Sequence, residues 1–205
     1  MALFKTPTIY AHIMDNVTKR AHCRICLCPE ARCICTLSKA MNNRTRLIIW
    51  QHPSEHSHPK GTAQLLQLCL KNSEIVCGEV LSPCALGLEE LATVALLYPE
   101  TPSSPQKTLK PNINTLILLD GTWRKSRKIL HLNPWINDLT RYILKPETSN
   151  YRIRKAESEE QLSSFEAGAI AISQLDNQEY YHGQLDSVFE AFVSRWESYL
   201  PSNNQ

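Results

Sequence analysis

The hydrophobic pattern of the chain switches between two periods. Thr45-Arg46-Leu47-Ile48-Ile49-Trp50-Gln51 is an apolar run with polar ends, and Val94-Ala95-Leu96-Leu97-Tyr98 is another, closed by Pro99. Asn114-Thr115-Leu116-Ile117-Leu118-Leu119 ends in four consecutive apolar residues. Such runs, apolar at successive rather than alternate positions, predict strands buried on both faces of a sheet. Ser73 to Cys77 and Leu139 to Leu144 predict two more strands. Elsewhere the period lengthens. Gly61 to Leu70 gathers Ala63, Leu65, Leu66, Leu68 and Cys69 on one broad stripe, which predicts a helix. Leu86 to Ala92 predicts a short helix, Arg124 onward a basic one, and Leu162 to Leu175 and Gln184 to Leu200 the two longest. Strands alternating with helices predict an α/β fold, a mostly parallel sheet flanked by helices.

Three stretches follow neither period. Residues 1–40 form an N-terminal arm and a small cysteine-bearing knuckle, set apart from a main domain over 41–205. Residues 100–111 carry three prolines and two lysines and predict an exposed loop. Residues 145–160 are polar and irregular, a candidate functional loop.

Composition narrows the classes. With 205 residues and 42% hydrophobic content the chain can build one proper core. No apolar run approaches the ~20 residues that span a membrane. Met1-Ala2-Leu3-Phe4-Lys5-Thr6-Pro7 lacks the apolar centre of a secretory signal, so the expected location is the cytoplasm. A net charge of +2 is too small to identify a nucleic-acid partner by itself.

Eight cysteines change the picture. Five of them, Cys23, Cys26, Cys28, Cys33 and Cys35, fall within thirteen residues. In a reducing compartment such a cluster points to metal rather than to disulfides. Cys23-x2-Cys26-x6-Cys33-x-Cys35 can close tetrahedrally around one structural zinc, with Cys28 or His22 as alternative ligands. Cys69, Cys77 and Cys84 sit in apolar surroundings and are expected to be small core residues.

The most informative chemistry lies where the Leu116–Leu119 run stops. Asp120-Gly121-Thr122-Trp123 follows it, and then Arg124-Lys125-Ser126-Arg127-Lys128, with four positive charges in five positions. A carboxylate is thus expected where a buried strand meets a basic helix, the place where open α/β sheets bind ligands. The plainer alternative is a turn aspartate followed by a core tryptophan.

With these residues in order, the chain resembles the DTW-domain family, the tRNA-uridine aminocarboxypropyltransferases. The four-cysteine knuckle, His52-Pro53-Ser54-Glu55, Leu97-Tyr98-Pro99 and Asp120-Gly121-Thr122-Trp123 match in the family's order. Leu162-Ser163-Ser164-Phe165-Glu166-Ala167 is a looser fifth match, and the likeness spans about residues 20–198. The resemblance implies a SPOUT-like fold with a C-terminal trefoil knot. It also implies transfer of the 3-amino-3-carboxypropyl group of S-adenosylmethionine to the N3 of a uridine in tRNA, releasing 5′-methylthioadenosine. Asp120 would accept the uridine proton or hold the ammonium of the co-substrate. Leu97, Tyr98, Pro99, Thr122, Trp123, Ser164, Glu166 and Ala167 are then the candidate co-substrate wall. Trp123 either stacks on a base or packs in the core. Ser163-x-x-Glu166 is also a helix capping box, which would occupy both side chains locally. His52 and Glu55 would orient the knuckle or the site, and His56 and His58 form a weaker candidate metal pair. Arg124, Lys125, Arg127 and Lys128, with Arg152, Arg154 and Lys155 of the polar loop, are the candidate phosphate contacts. Two other readings remain open: a SPOUT-type methyltransferase of RNA using the same co-substrate, and a non-catalytic zinc-knuckle RNA-binding module.

Overall fold

The computed structural model describes residues 21–56, 61–99, 112–144 and 162–199. Its centre is a five-stranded parallel sheet, ordered β2-β1-β4-β3-β5. The three inner strands are the three apolar runs: β1 (Arg46–Gln51), β3 (Val94–Leu97) and β4 (Thr115–Asp120). All are buried after the first residue of β1, as strands with helices or loops over both faces must be. The edges are β2 (Ser73–Cys77), half-buried, and β5 (Thr140–Tyr142).

One face of the sheet is covered by α1 (Ala63–Cys69), α3 (Ser164–Leu175) and α4 (Glu179–Glu197). Leu47, Ile49, Leu116 and Leu118 meet Leu65, Leu66, Phe165, Ala169, Phe189 and Phe192 there. The approach of α3 to α1 depends on Gly168, where an added Cβ would lie 2.4 Å from Leu66 Cδ2. The other face carries Ile48, Trp50, Leu96, Ile117 and Leu119 against α2 (Trp123–Leu132) and the short 3-10 helix Pro134–Asp138.

Several expectations change. The helix expected over Leu86 to Ala92 is two separate 3-10 turns, Cys84–Leu86 and Leu91–Thr93. Gly87, in the left-handed region at φ 60°, ends the first of them. The strand expected over Leu139 to Leu144 pairs for only three residues, because its one neighbour among the described residues, β3, ends at Leu97. Helix α4 starts at Glu179 rather than Gln184; its first turn is exposed or half-buried and so carries no apolar signal. Cys69 is buried as expected, but Cys77 and Cys84 are exposed, one at the end of the edge strand and one in a surface turn.

The knuckle leans on the main core. Cys26 and Ile34, 1% and 2% exposed, belong to the same cluster as α3 and α4. The Arg32 guanidinium lies 5.0 Å from the Trp196 ring centre and 5.1 Å from that of Tyr199. Arg195 Nη1 donates to the Cys33 carbonyl at 2.7 Å. Of the three residues that grip the knuckle, Arg195 and Trp196 lie in the last turn of α4 and Tyr199 lies just beyond it.

Candidate functional site

Asp120 is the last residue of β4, in register with Gln51 at the end of β1. It is 8% exposed. One carboxylate oxygen, Oδ2, accepts from Gln51 Nε2 at 2.9 Å; the other, Oδ1, accepts from Ser164 Oγ at 2.5 Å. Ser164 opens α3, so the carboxylate is held between the sheet and a helix start. Gln51 is fully buried, and its Oε1 finds no hydrogen-bond partner among the described residues. A buried amide that leaves its acceptor unused in order to donate to a carboxylate is a costly arrangement.

The co-substrate candidates lie at or near the same carboxyl end of the parallel sheet, where such folds bind ligands. Leu97 ends β3, and Tyr98 and Pro99 follow; Leu97 and Tyr98 are buried and Pro99 is exposed. Thr122 caps α2 by accepting from the Lys125 N–H. Trp123, at the first position of α2, is 42% exposed and meets Tyr98 edge-to-face at 5.7 Å. It is not a core residue. The Tyr98 hydroxyl lies 3.2 Å from Ser126 Oγ, which ties β3 to α2.

At the start of α3 the capping box forms: Ser163 N–H donates to Glu166 Oε2 at 2.7 Å, and Glu166 N–H donates to Ser163 Oγ at 3.2 Å. The Glu166 carboxylate thus serves its own helix, while Ser164 is turned to Asp120. Ala167 is half-buried against the core. Phe165 N–H donates to Thr62 Oγ1, joining α3 to the start of α1.

His52, 8% exposed, follows Gln51 and donates its backbone N–H to the Asp120 carbonyl at 3.0 Å. Its Nε2 lies 2.9 Å from Glu79, which also pairs with Lys128 at 2.7 Å. The Lys128 ammonium beside Glu79 holds that carboxyl below its usual range. Lys125 pairs with Glu55 at 2.6 Å. Two of the four α2 cations expected to meet RNA therefore already have carboxylate partners. Arg124 and Arg127 are exposed and form no ion pair among the described residues. Arg152, Arg154, Lys155 and His58 lie outside the described residues.

The four knuckle thiols converge. Their Sγ atoms all lie within 4.8 Å of one another, with Cys23–Cys35 at 3.7 Å and Cys26–Cys33 at 3.8 Å. Four sulfurs at about 2.3 Å from one zinc define a tetrahedron with edges of about 3.8 Å, so the donor set fits that ion. Backbone N–H groups of Cys26 and Ile25 lower the Cys23 thiol to about 6. Burial pushes Cys28 up to about 12, and it stands outside the four.

The sequence profile of the DTW domain matches residues 20–197. This chain belongs to the DTW-domain family. Proteins named tRNA-uridine aminocarboxypropyltransferase 2 resemble the DTW chain at modest identity. That of Macaca fascicularis is 28% identical over 200 residues, covering 88% of this chain and 65% of the relative. That of Mus musculus is 29% identical over 176 residues, covering 80% and 59%. That of Drosophila melanogaster is 27% identical over 177 residues, covering 80% and 70%. The DTW chain thus spans less than two thirds of the first two relatives' lengths. No solved structure matches it.

Gln51 and Glu79 are the parts of the DTW site that sequence reasoning missed. Gln51 carried a signal, a polar residue ending an apolar strand; Glu79 carried none before its partners were placed. No helix among the described residues is long and apolar enough to cross a membrane.

Proposed function

We propose that this DTW chain transfers the 3-amino-3-carboxypropyl group of S-adenosylmethionine to the N3 of a uridine in tRNA. The names of its relatives supply the reaction class. The observation that carries the reading for this chain is the Asp120 carboxylate, clamped by Gln51 and Ser164 at the carboxyl end of the sheet beside a half-exposed Trp123. In the reaction the N3–H proton passes to water or to Asp120, a bond forms between N3 and the γ-carbon of the donor's side chain, and the γ-carbon–sulfur bond breaks. Its electron pair stays on sulfur, which neutralises the sulfonium and yields 5′-methylthioadenosine. Holding acceptor and donor in line at near-attack distance supplies most of the acceleration.

Donors on both oxygens stabilise the ionised form of a carboxylate. That suits Asp120 to a fixed negative charge facing the donor's ammonium, and it makes proton acceptance the second reading. Leu97, Tyr98, Pro99 and Thr122 would line the co-substrate, with the α3 start at Ser164, Glu166 and Ala167 closing the pocket. Trp123 would stack on a base. Arg124 and Arg127, with Arg152, Arg154 and Lys155, would meet phosphates, and Cys23, Cys26, Cys33 and Cys35 would hold one structural zinc. The DTW family relation supports a SPOUT-like catalytic domain over 41–205 with a C-terminal trefoil knot, preceded by the knuckle over 1–40, acting in the cytoplasm.

The test is product analysis with unmodified tRNA. The expected products are 5′-methylthioadenosine and aminocarboxypropyl-uridine. S-adenosylhomocysteine would identify a methyltransferase instead, and tRNA binding without co-substrate binding would leave a non-catalytic module. Asp120→Asn should keep near-native thermal stability and lose at least about a hundredfold in transfer rate. The same variant should bind S-adenosylmethionine more weakly while holding 5′-methylthioadenosine, which lacks the ammonium, as before. Full transfer activity in Asp120→Asn would return this residue to the role of an ordinary turn aspartate.

A further inference from the structure

On the α2 face of the sheet, β5 carries a charge with no carboxylate partner among the described residues. Arg141 is 7% exposed. Its guanidinium lies over the Tyr98 ring, 5.3 Å from the ring centre, and Nη2 donates to Asn137 Oδ1 at 3.1 Å. Nε and Nη1 are closed off from solvent and have no hydrogen-bond partner among the described residues. None of the ion pairs there includes Arg141. Burial pulls its pKa below the ordinary arginine value, although a guanidinium stays charged in proteins.

A buried cation with no anion and two idle donor groups is among the most costly arrangements a core can hold. An apolar side chain of similar volume would pack here without that cost. The position of the charge gives it a use. Tyr98, on which it stacks, follows β3 at the carboxyl end of the sheet, and the same ring touches the half-exposed Trp123. Arg141 is thus one ring away from the rim of the candidate site.

We propose that Arg141 is an oxyanion-binding residue of this site, its Nε and Nη1 groups supplying donors to a carboxylate or phosphate. The inference rests on the function proposed above, whose two substrates both carry such a group: the carboxylate of the donor's aminocarboxypropyl arm and the phosphates of the RNA. The long side chain can turn to meet an arriving oxyanion, exchanging the neutral Asn137 acceptor for a charged one, which is the stronger bond.

The experiment uses the full chain with Arg141→Met and Arg141→Lys. It measures thermal stability without ligand, and binding of S-adenosylmethionine, 5′-methylthioadenosine and tRNA at several salt concentrations. Arg141→Met should melt at or above the wild-type temperature, because it removes an unpaired buried charge. Affinity for the oxyanion carrier should fall by about 10- to 100-fold, the range of a lost charge-assisted bond. Arg141→Lys, which keeps the charge but not the planar fork, should lose part of it. Loss for S-adenosylmethionine but not for 5′-methylthioadenosine assigns the carboxylate of the arm. Loss confined to tRNA, with a shallower salt dependence, assigns a backbone phosphate. Unchanged affinities in both variants would overturn the proposal, whatever their stability. Should Arg141→Met fail to fold, Arg141→Lys decides alone on the same criterion. A wild-type chain that binds neither S-adenosylmethionine nor tRNA would instead refute the proposed function.

Discussion

Replacing Arg124 and Arg127 together by alanine should flatten the salt dependence of tRNA binding, whereas replacing Lys125 and Lys128 should not. The four cations lie within five residues of α2, and a count of charges treats them alike. The structure separates them. Lys125 is neutralised by Glu55 and Lys128 by Glu79, while both arginines are exposed and lack a carboxylate partner among the described residues. Only a cation that displaces counterions from phosphates contributes to the salt slope, by about 0.7 per contact on an unpaired strand. Losing two such contacts reduces the slope by about 1.4, so across a fourfold rise in salt the wild type should lose roughly seven times more affinity than the double variant. Removing the lysines strips Glu55 of its cation and leaves Glu79 with only the His52 imidazole beside it among the described residues. That lowers affinity at every salt concentration with little change of slope. The assay is a filter-binding or fluorescence titration of tRNA at four or five salt concentrations. Equal slope changes in the two double variants would refute the division, and no change in either would show that α2 does not face the RNA.

Gln51→Leu should cost little stability, because the lost bond to Asp120, about 1.5–3 kcal/mol for a charged partner, is offset by removing an unsatisfied buried acceptor worth about 1–3 kcal/mol. Its transfer rate should nevertheless fall at least about tenfold as the carboxylate loses a clamp; an unchanged rate would remove Gln51 from the site. Purified protein should contain one zinc per chain by metal analysis, and finding none would reject the knuckle as a metal centre. Cys33→Ser should release the zinc and lower unfolding free energy by about 2–4 kcal/mol in a denaturant titration, since Cys26 and Ile34 leave the main core with it.

The inner sheet was legible because β1, β3 and β4 are buried on both faces, and continuous apolar runs say so directly. Edges were less legible. Thr140-Arg141-Tyr142 is flanked by further apolar residues that look like strand, yet among the described residues the sheet offers them only the short β3 to pair with. Leu86 to Ala92 has helical composition, but Gly87 takes the left-handed conformation and splits it. In the site, Asp120 stood out as a charge ending an apolar strand. Its clamp did not, because Gln51 lies 69 residues away and Ser164 lies 44 away. The pairing of Lys125 and Lys128 was hidden for the same reason. Local patterns find the element that carries a side chain, whereas partners are set by topology.

The grip of α4 on the knuckle has a consequence for how the protein is made. Arg195 reaches back to Cys33 across 162 positions, and Asp176 reaches Thr45 across 131. Synthesis runs from the amino end at about 5–20 residues per second, so the knuckle waits roughly 10–30 s for the helix against which Cys26 and Ile34 pack. During that interval its thiols and its apolar residues are open to oxidation and to wrong contacts. Zinc captured early would tie the four thiols down and hold the knuckle in shape until the last helix arrives. The metal would then matter as much to the chain's assembly on the ribosome as to the finished fold, and cells short of zinc should lose the newly made protein before they lose what is already folded.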